Sequence, residues 1–188
     1  MTAAVGKIVE LSGAAGDSFT NAGTVLGNGA GTAEFGLAFI NSGSISAASG
    51  TLKFLDGATN TGTINAASGL VSFTKGVAGK GTLAIGATGT LSLLLGAGTA
   101  QTVAFQAGTG LLDMTKPLDF LGTVAGFGAS DTVDLLNTAE TGYSFASGML
   151  TVTDGSATVA KLHFGGSYTT ASFTLATDGH SGTFITFS

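Results

Sequence analysis

The chain has 188 residues, a net charge of −5, 44% hydrophobic and only 9% charged side chains, with 32 glycines, one proline and no cysteine. Six lysines and arginines in total cannot assemble the basic surface that nucleic acid requires, and the apolar share is too high for disorder. The missing cysteine excludes disulfides and thiolate metal sites, and no apolar run approaches the ~18 residues of a membrane-spanning helix.

From the N-terminus, Met1 to Glu10 shows no charged segment followed by an apolar run, so no cleavable leader is expected. From Thr24 onward a Ser or Thr followed by an aliphatic residue recurs. The pairs are Thr24-Val25, Ser44-Ile45, Thr63-Ile64, Thr82-Leu83, Thr102-Val103 and Thr123-Val124, at steps of 20, 19, 19, 20 and 21. A second file runs beside it through Ala33, Leu52, Val71, Leu91, Leu111 and Val133. A period near 20 marks a repeat architecture. Each repeat carries two short alternating segments, such as Ser44-Ile45 and then Leu52-Lys53-Phe54, joined by small-residue corners such as Ala47-Ala48-Ser49-Gly50.

No helical periodicity provides a crossover, so each strand must stack on its counterpart one repeat later. The spacing predicts an all-β, right-handed parallel β-helix of about six to seven coils, since parallel crossovers are right-handed in ≈ 98% of cases. Phe35, Phe54, Phe73 and Leu93 then form one internal file and the aliphatic residues after each Ser or Thr another, while the hydroxyls point outward. Asp113 falls where the phenylalanine file would place an apolar residue. Either the coil shifts by one and brings Met114 inward, or the wall opens there.

The period loosens after Leu135. Asp154-Gly155 is a strong hairpin signal, and Asp178-Gly179-His180-Ser181-Gly182 reads as a second turn. The expected division is a solenoid over residues 1–136 and a hairpin-rich β cap over 137–188, continuous with it. The alternative is that the tail forms further irregular coils.

The Asn60-Thr61-Gly62-Thr63-Ile64 type of repeat, followed by Gly50-Thr51-Leu52-Lys53-Phe54 type segments, resembles the stems of bacterial β-strand-repeat surface proteins, namely autotransporter passengers and filamentous-haemagglutinin-like adhesins. The segments Gly126 to Leu135, Leu150 to Gly155 and Phe173 to Thr186 resemble closing coils of such proteins. The resemblance implies an extracellular or cell-surface, bacterial, structural or adhesive role. The barrel translocator of autotransporters has no counterpart here, so the expectation is type I secretion or a fragment of a larger secreted protein.

No catalytic grouping stands out, and the chain is read as non-enzymatic. Calcium is the one cofactor left open, with Asp131 and Asp134 as its candidate ligands; the glycine-rich nonapeptide of calcium β-rolls does not occur. His163 is expected to point outward from a strand and His180 to sit in a turn, with no spacing suited to zinc. Asp56, Asp113 and Asp119 lie in different coils, which speaks against a carbohydrate-active groove, although Asp113, Lys116 and Asp119 form a local cluster beside Pro117. The outward Ser/Thr file raises an ice-binding face, but the second outward position is Leu26, Ser46, Asn65, Ala84, Ala104 and Ala125, so only one hydroxyl file is regular. Tyr143 and Tyr168 are the only tyrosines, and there is no tryptophan, so no sugar-stacking platform is evident. The partners expected are further copies of the chain at the solenoid ends, or a cell-surface polysaccharide.

Overall fold

The computed structural model describes residues 8–14, 16–106 and 108–188. The fold is a β-solenoid of about six turns whose strands form three sheets. The threonine sheet stacks Thr24–Gly27, Ser44–Ala47, Thr63–Ala66, Thr82–Ile85, Thr102–Phe105 and Thr123–Ala125, all parallel. The phenylalanine sheet stacks Ile8–Leu11, Thr32–Phe35, Thr51–Phe54, Leu70–Phe73, Thr90–Leu93, Leu111–Met114 and Thr132–Leu135, also parallel. A third, shorter sheet holds Ser18–Asn21, Ala38–Asn41, Ala58–Asn60 and Val77–Ala78.

Within the first two sheets alternate residues turn inward, as the strand period demands. Val25, Ile45, Ile64, Leu83, Val103 and Val124 pair in register along the threonine sheet. Phe35, Phe54, Phe73 and Leu93 do the same opposite, each at most 1% exposed. Phe35 and Phe54 stack with centroids 4.9 Å apart, and Phe54 and Phe73 at 4.7 Å, both nearly parallel. Phe39, from the third sheet, meets Phe35 and Phe54 edge-on, the geometry that aromatic quadrupoles favour.

The fifth coil corrects one inward file. Leu112, not Leu111, pairs with Leu91 and Val133, and Met114 takes the place after Leu93. The longer corner before Leu111 moves the strand by one residue. Asp113 thereby faces outward while Leu112 and Met114 are buried. A one-residue slip exchanges the two faces of a strand, so the apolar pair decides the register against a buried carboxylate.

The third sheet is absent from the two-strand reading of each repeat. Its inward file is Phe19, Phe39, Ala58 and Val77, continued by Ala97. Its strands end on Asn21, Asn41 and Asn60, which build an internal amide ladder. Asn21 Nδ2 donates to Asn41 Oδ1 and Asn41 Nδ2 to Asn60 Oδ1, both at 2.8 Å. The other amide hydrogens reach backbone carbonyls, those of Gly43 and Thr63 in the case of Asn41. The fourth coil has no amide at this place. A Cβ on Gly79 would sit 2.3 Å from Asn60 O, and one on Gly81 2.5 Å from Asn60 Nδ2. Gln101 spans the gap from the fifth coil. Asn60 Nδ2 donates to Gln101 Oε1 at 3.2 Å, and Gln101 Nε2 donates to the carbonyls of Asn60 and Ala78 at 2.7 Å. The extra methylene of Gln over Asn provides that reach. The corners beside the ladder pack backbone on backbone: a Cβ on Gly62 would meet Gly43 O at 2.1 Å.

After Thr132–Leu135 the chain turns antiparallel. Gly142–Ala146, Met149–Asp154 and Ala157–Gly165 form a meander whose last strand joins Thr123–Ala125 in parallel, so that His163 follows Thr123. Phe173–Thr177 and Thr183–Phe187 form a hairpin that pairs antiparallel with Thr132–Leu135. Phe127, Phe164 and Phe173 close the core beneath them, and Tyr143 and Tyr168 spend their hydroxyls on the carbonyls of Phe173 and Phe127 at 2.8 Å.

Two substitutions test this packing by denaturant unfolding. Phe54→Ala empties the centre of the ring stack and is expected to cost about 3–5 kcal/mol. Gln101→Asn keeps the amide but shortens its reach, leaving Asn60 short of a partner. It is expected to cost about 1–3 kcal/mol, whereas Lys80→Ala on the exposed corner of the neighbouring coil should stay within about 0.5 kcal/mol.

Candidate functional site

A chain built of stacked coils offers faces, corners and ends rather than a cleft. The outer face of the threonine sheet carries Thr24, Ser44, Thr63, Thr82, Thr102 and Thr123 in register. His163 extends the file, with its Nδ1 3.2 Å from Thr123 Oγ1. The second outward file is Leu26, Ser46, Asn65, Ala84, Ala104 and Ala125. No charged side chain stands in either file from Thr24 to Ala125. The face is neutral and carries one regular hydroxyl file; its second row is alanine in the last three coils, where Ala84 is only 2% exposed.

Charge lies on the phenylalanine sheet and its corners. Glu34 and Lys53 are adjacent in register and pair at 3.0 Å; Asp56 and Lys75 pair one corner further on. Surface pairs of this kind contribute about 0–1 kcal/mol each. Further along the same outward file the pattern reverses, and Asp113 stands directly beside Asp134.

The structure does not join the two expected calcium ligands. Asp131 turns into the corner between coils, where its two carboxylate oxygens accept the backbone N–H of Gly110 at 3.1 Å and of Gly128 at 3.0 Å. Burial raises its pKa, against the lowering effect of those two N–H groups. Asp134 faces outward, toward Asp113 and the Asp178 turn. Asp178 caps its own turn, accepting from the backbone N–H of His180 and Gly182, which hold its carboxyl below the ordinary carboxylate range. Among the described residues no three His, Asp or Glu side chains form a group suited to a metal ion.

Nor do the acids converge on a groove. Asp56 belongs to the Lys75 pair and Asp113 to the Asp134 file. Asp119 borders shallow hollows around the Pro117–Asp119 turn, one of about 390 Å³ reaching Leu95, Ala97 and Leu121, another of about 350 Å³ reaching Lys116 and Val159. A third, of about 240 Å³, lies between Phe120, Met149, Lys161 and His163. None of these three has two carboxylates on its walls, which hydrolysis by an acid and a base or nucleophile requires. Leu118 and Leu121 stand exposed at the rims.

The ladder amides were missed at the sequence level. Asn is read as a turn former, and Asn-x-Gly at a corner invites that reading. The signal that finds them is their spacing: 21, 41 and 60 keep the same step as the threonine file. The amide at 101 is recognisable only once the gap at Gly79 and Gly81 is known.

Comparison with known proteins gives one result. No curated protein and no solved structure matches the chain. A family profile described as the N-terminal domain of hyphally regulated cell wall proteins matches residues 5–188. The surface role implied by the resemblance to bacterial stems is retained at the level of the cell wall, and the match does not extend to autotransporter passengers or haemagglutinin-like stems. The chain belongs to the hyphally regulated cell wall protein N-terminal family.

Proposed function

We propose that this chain is a non-enzymatic structural module of a cell-surface or extracellular-matrix protein, and that it associates with further copies through the N-terminal end of its solenoid. The observation that carries the reading is the contrast between the two ends. At the C-terminal end, hairpins and a cluster of aromatic rings cover the last coil. At the other end the inward residues Phe19 and Val25 are only half-buried, while Phe39 and Ile45, one coil further along the same files, are at most 1% exposed. Strand edges left at the end of a sheet are templates for pairing with another chain. Contact of the N-terminal end with the capped end of the next copy is heterologous, and where its rotation does not close it propagates as a filament.

A cell-wall family and a sparsely charged, hydroxyl-rich surface both fit a module whose work is mechanical or adhesive. Rigidity comes from stacked coils and needs no disulfide, which agrees with a chain that has no cysteine.

Light scattering after size exclusion, followed by negative-stain imaging, tests the association. The expected result is a mass above the 18.2 kDa monomer that grows with concentration. Thr20→Lys, an exposed position on the strand that ends the third sheet, should return the protein to a monomer by placing a charge at that edge. A strictly monomeric wild type at high concentration removes the association while leaving the structural role.

A further inference from the structure

Two buried side-chain oxygens among the described residues lack a hydrogen-bond partner, Asn65 Oδ1 and Asp134 Oδ1. Asp134 is only 8% exposed. It stands in the middle of Thr132–Leu135, opposite Asp113 on one side and Phe184 of the terminal hairpin on the other. Two carboxylates on the same face of adjacent strands are about one strand spacing apart, ~4.8 Å, and like charges directly opposite one another are destabilising. The hairpin adds its own charges at its turn: Asp178 works against ionisation of Asp134, and His180 favours it. The remaining outward neighbours, Ser92, Leu111 and Thr132, are uncharged.

We propose that Asp113 and Asp134 share one proton, and that this proton fastens the terminal hairpin onto the last coil when the surroundings are mildly acidic. The carboxyl O–H of one partner donates to the carboxylate of the other, giving the buried Asp134 oxygen the partner it lacks and removing one of the two like charges. A proton fits this place better than a divalent cation. Calcium requires six to eight oxygens, no third acid joins the pair as a ligand group, and the Asp178 carboxylate is already held by backbone N–H groups. A shared proton needs only the two side chains present.

Burial, and after it the charge of Asp134, push the Asp113 carboxyl up to about 6 from an ordinary value of 3.8. Burial also raises Asp134. The two titrate as a coupled unit. Because the folded chain holds the proton more tightly than the unfolded one, the stabilisation is complete below the unfolded value and is lost as pH rises through about 6.

The test follows the thermal midpoint and the amide hydrogen exchange of Thr183–Phe187 between about pH 7.5 and about pH 5. The expected result is a midpoint that rises as pH falls, with exchange in this strand slowing beyond the intrinsic pH effect. Asp113→Asn should diminish the rise and lift the midpoint at the upper pH, and Asp134→Asn, the second variant, should do the same, burial alone remaining to raise the carboxyl that is left. His180→Gln should leave the rise in place. A flat or falling wild-type midpoint overturns the proposal, as does a rise that neither carboxylate variant diminishes or one that disappears with His180→Gln. Calcium chloride added at the upper pH should leave the midpoint unchanged. A calcium-induced rise that Asp113→Asn removes would replace the proton with a cation and overturn it as well.

Discussion

A primary amide in an apolar core is costly unless its donors and acceptor are all used. The solenoid places four such amides, from Asn21, Asn41, Asn60 and Gln101, in its interior at no more than 6% exposure. Each asparagine rung bonds to the rung of another coil and to a backbone carbonyl of the following coil, and Asn21 and Asn41 also bond to the backbone of their own corner. Sliding one coil along its neighbour would strand an amide on each side. The apolar files alone are more permissive, since leucine, valine and isoleucine pack in many registers. Hydrogen bonding in the amide ladder therefore specifies the register, while the phenylalanine and aliphatic files supply most of the burial. The same constraint explains the glycines beside the ladder, since corners that exchange such bonds lie too close for a Cβ at Gly43, Gly62 or Gly81.

Much of this was readable in the chain before any coordinates. The hydroxyl file from Thr24 to Thr123 and the ring file Phe35, Phe54 and Phe73 are repeats of identical chemistry at nearly constant spacing, and strands that stack in register must show that pattern. Two things were hidden. One was the third sheet, whose strands are two to four residues long and end on Asn in the first three coils, and so imitate a turn by local propensity. The other was the choice in the fifth coil between a one-residue shift and an opened wall, left undecided because Leu111 and Leu112 are equally apolar; the structure takes the shift, with Met114 in the core and Asp113 outside. The sites fared differently for a physical reason. The use of Asp131 as a corner brace and the pairing of Asp134 with Asp113 depend on which coil stands next to which, and a linear spacing of three residues between Asp131 and Asp134 says nothing about that.

Function follows the same distribution of chemistry. Charges are few, and two ion pairs stand on the phenylalanine sheet and its corner, while the outward files of the threonine sheet carry no charge from Thr24 to Ala125. Membership in a cell wall protein family agrees with a structural role. The one departure from repetition, the acidic step at Asp113 and Asp134, falls at the junction of solenoid and terminal hairpin. There a change in protonation has a structural element to act upon.

The central claim is that residues about twenty apart lie directly above one another through successive coils. With no native cysteine, Thr24→Cys and Thr123→Cys can be spin-labelled cleanly, and pulsed electron paramagnetic resonance reads their separation. Five strand spacings of about 4.8 Å predict a narrow distribution near 24 Å between backbone positions, broadened by the label linkers. A separation well beyond that range, or a broad distribution typical of independent segments, would contradict the stacked-coil account.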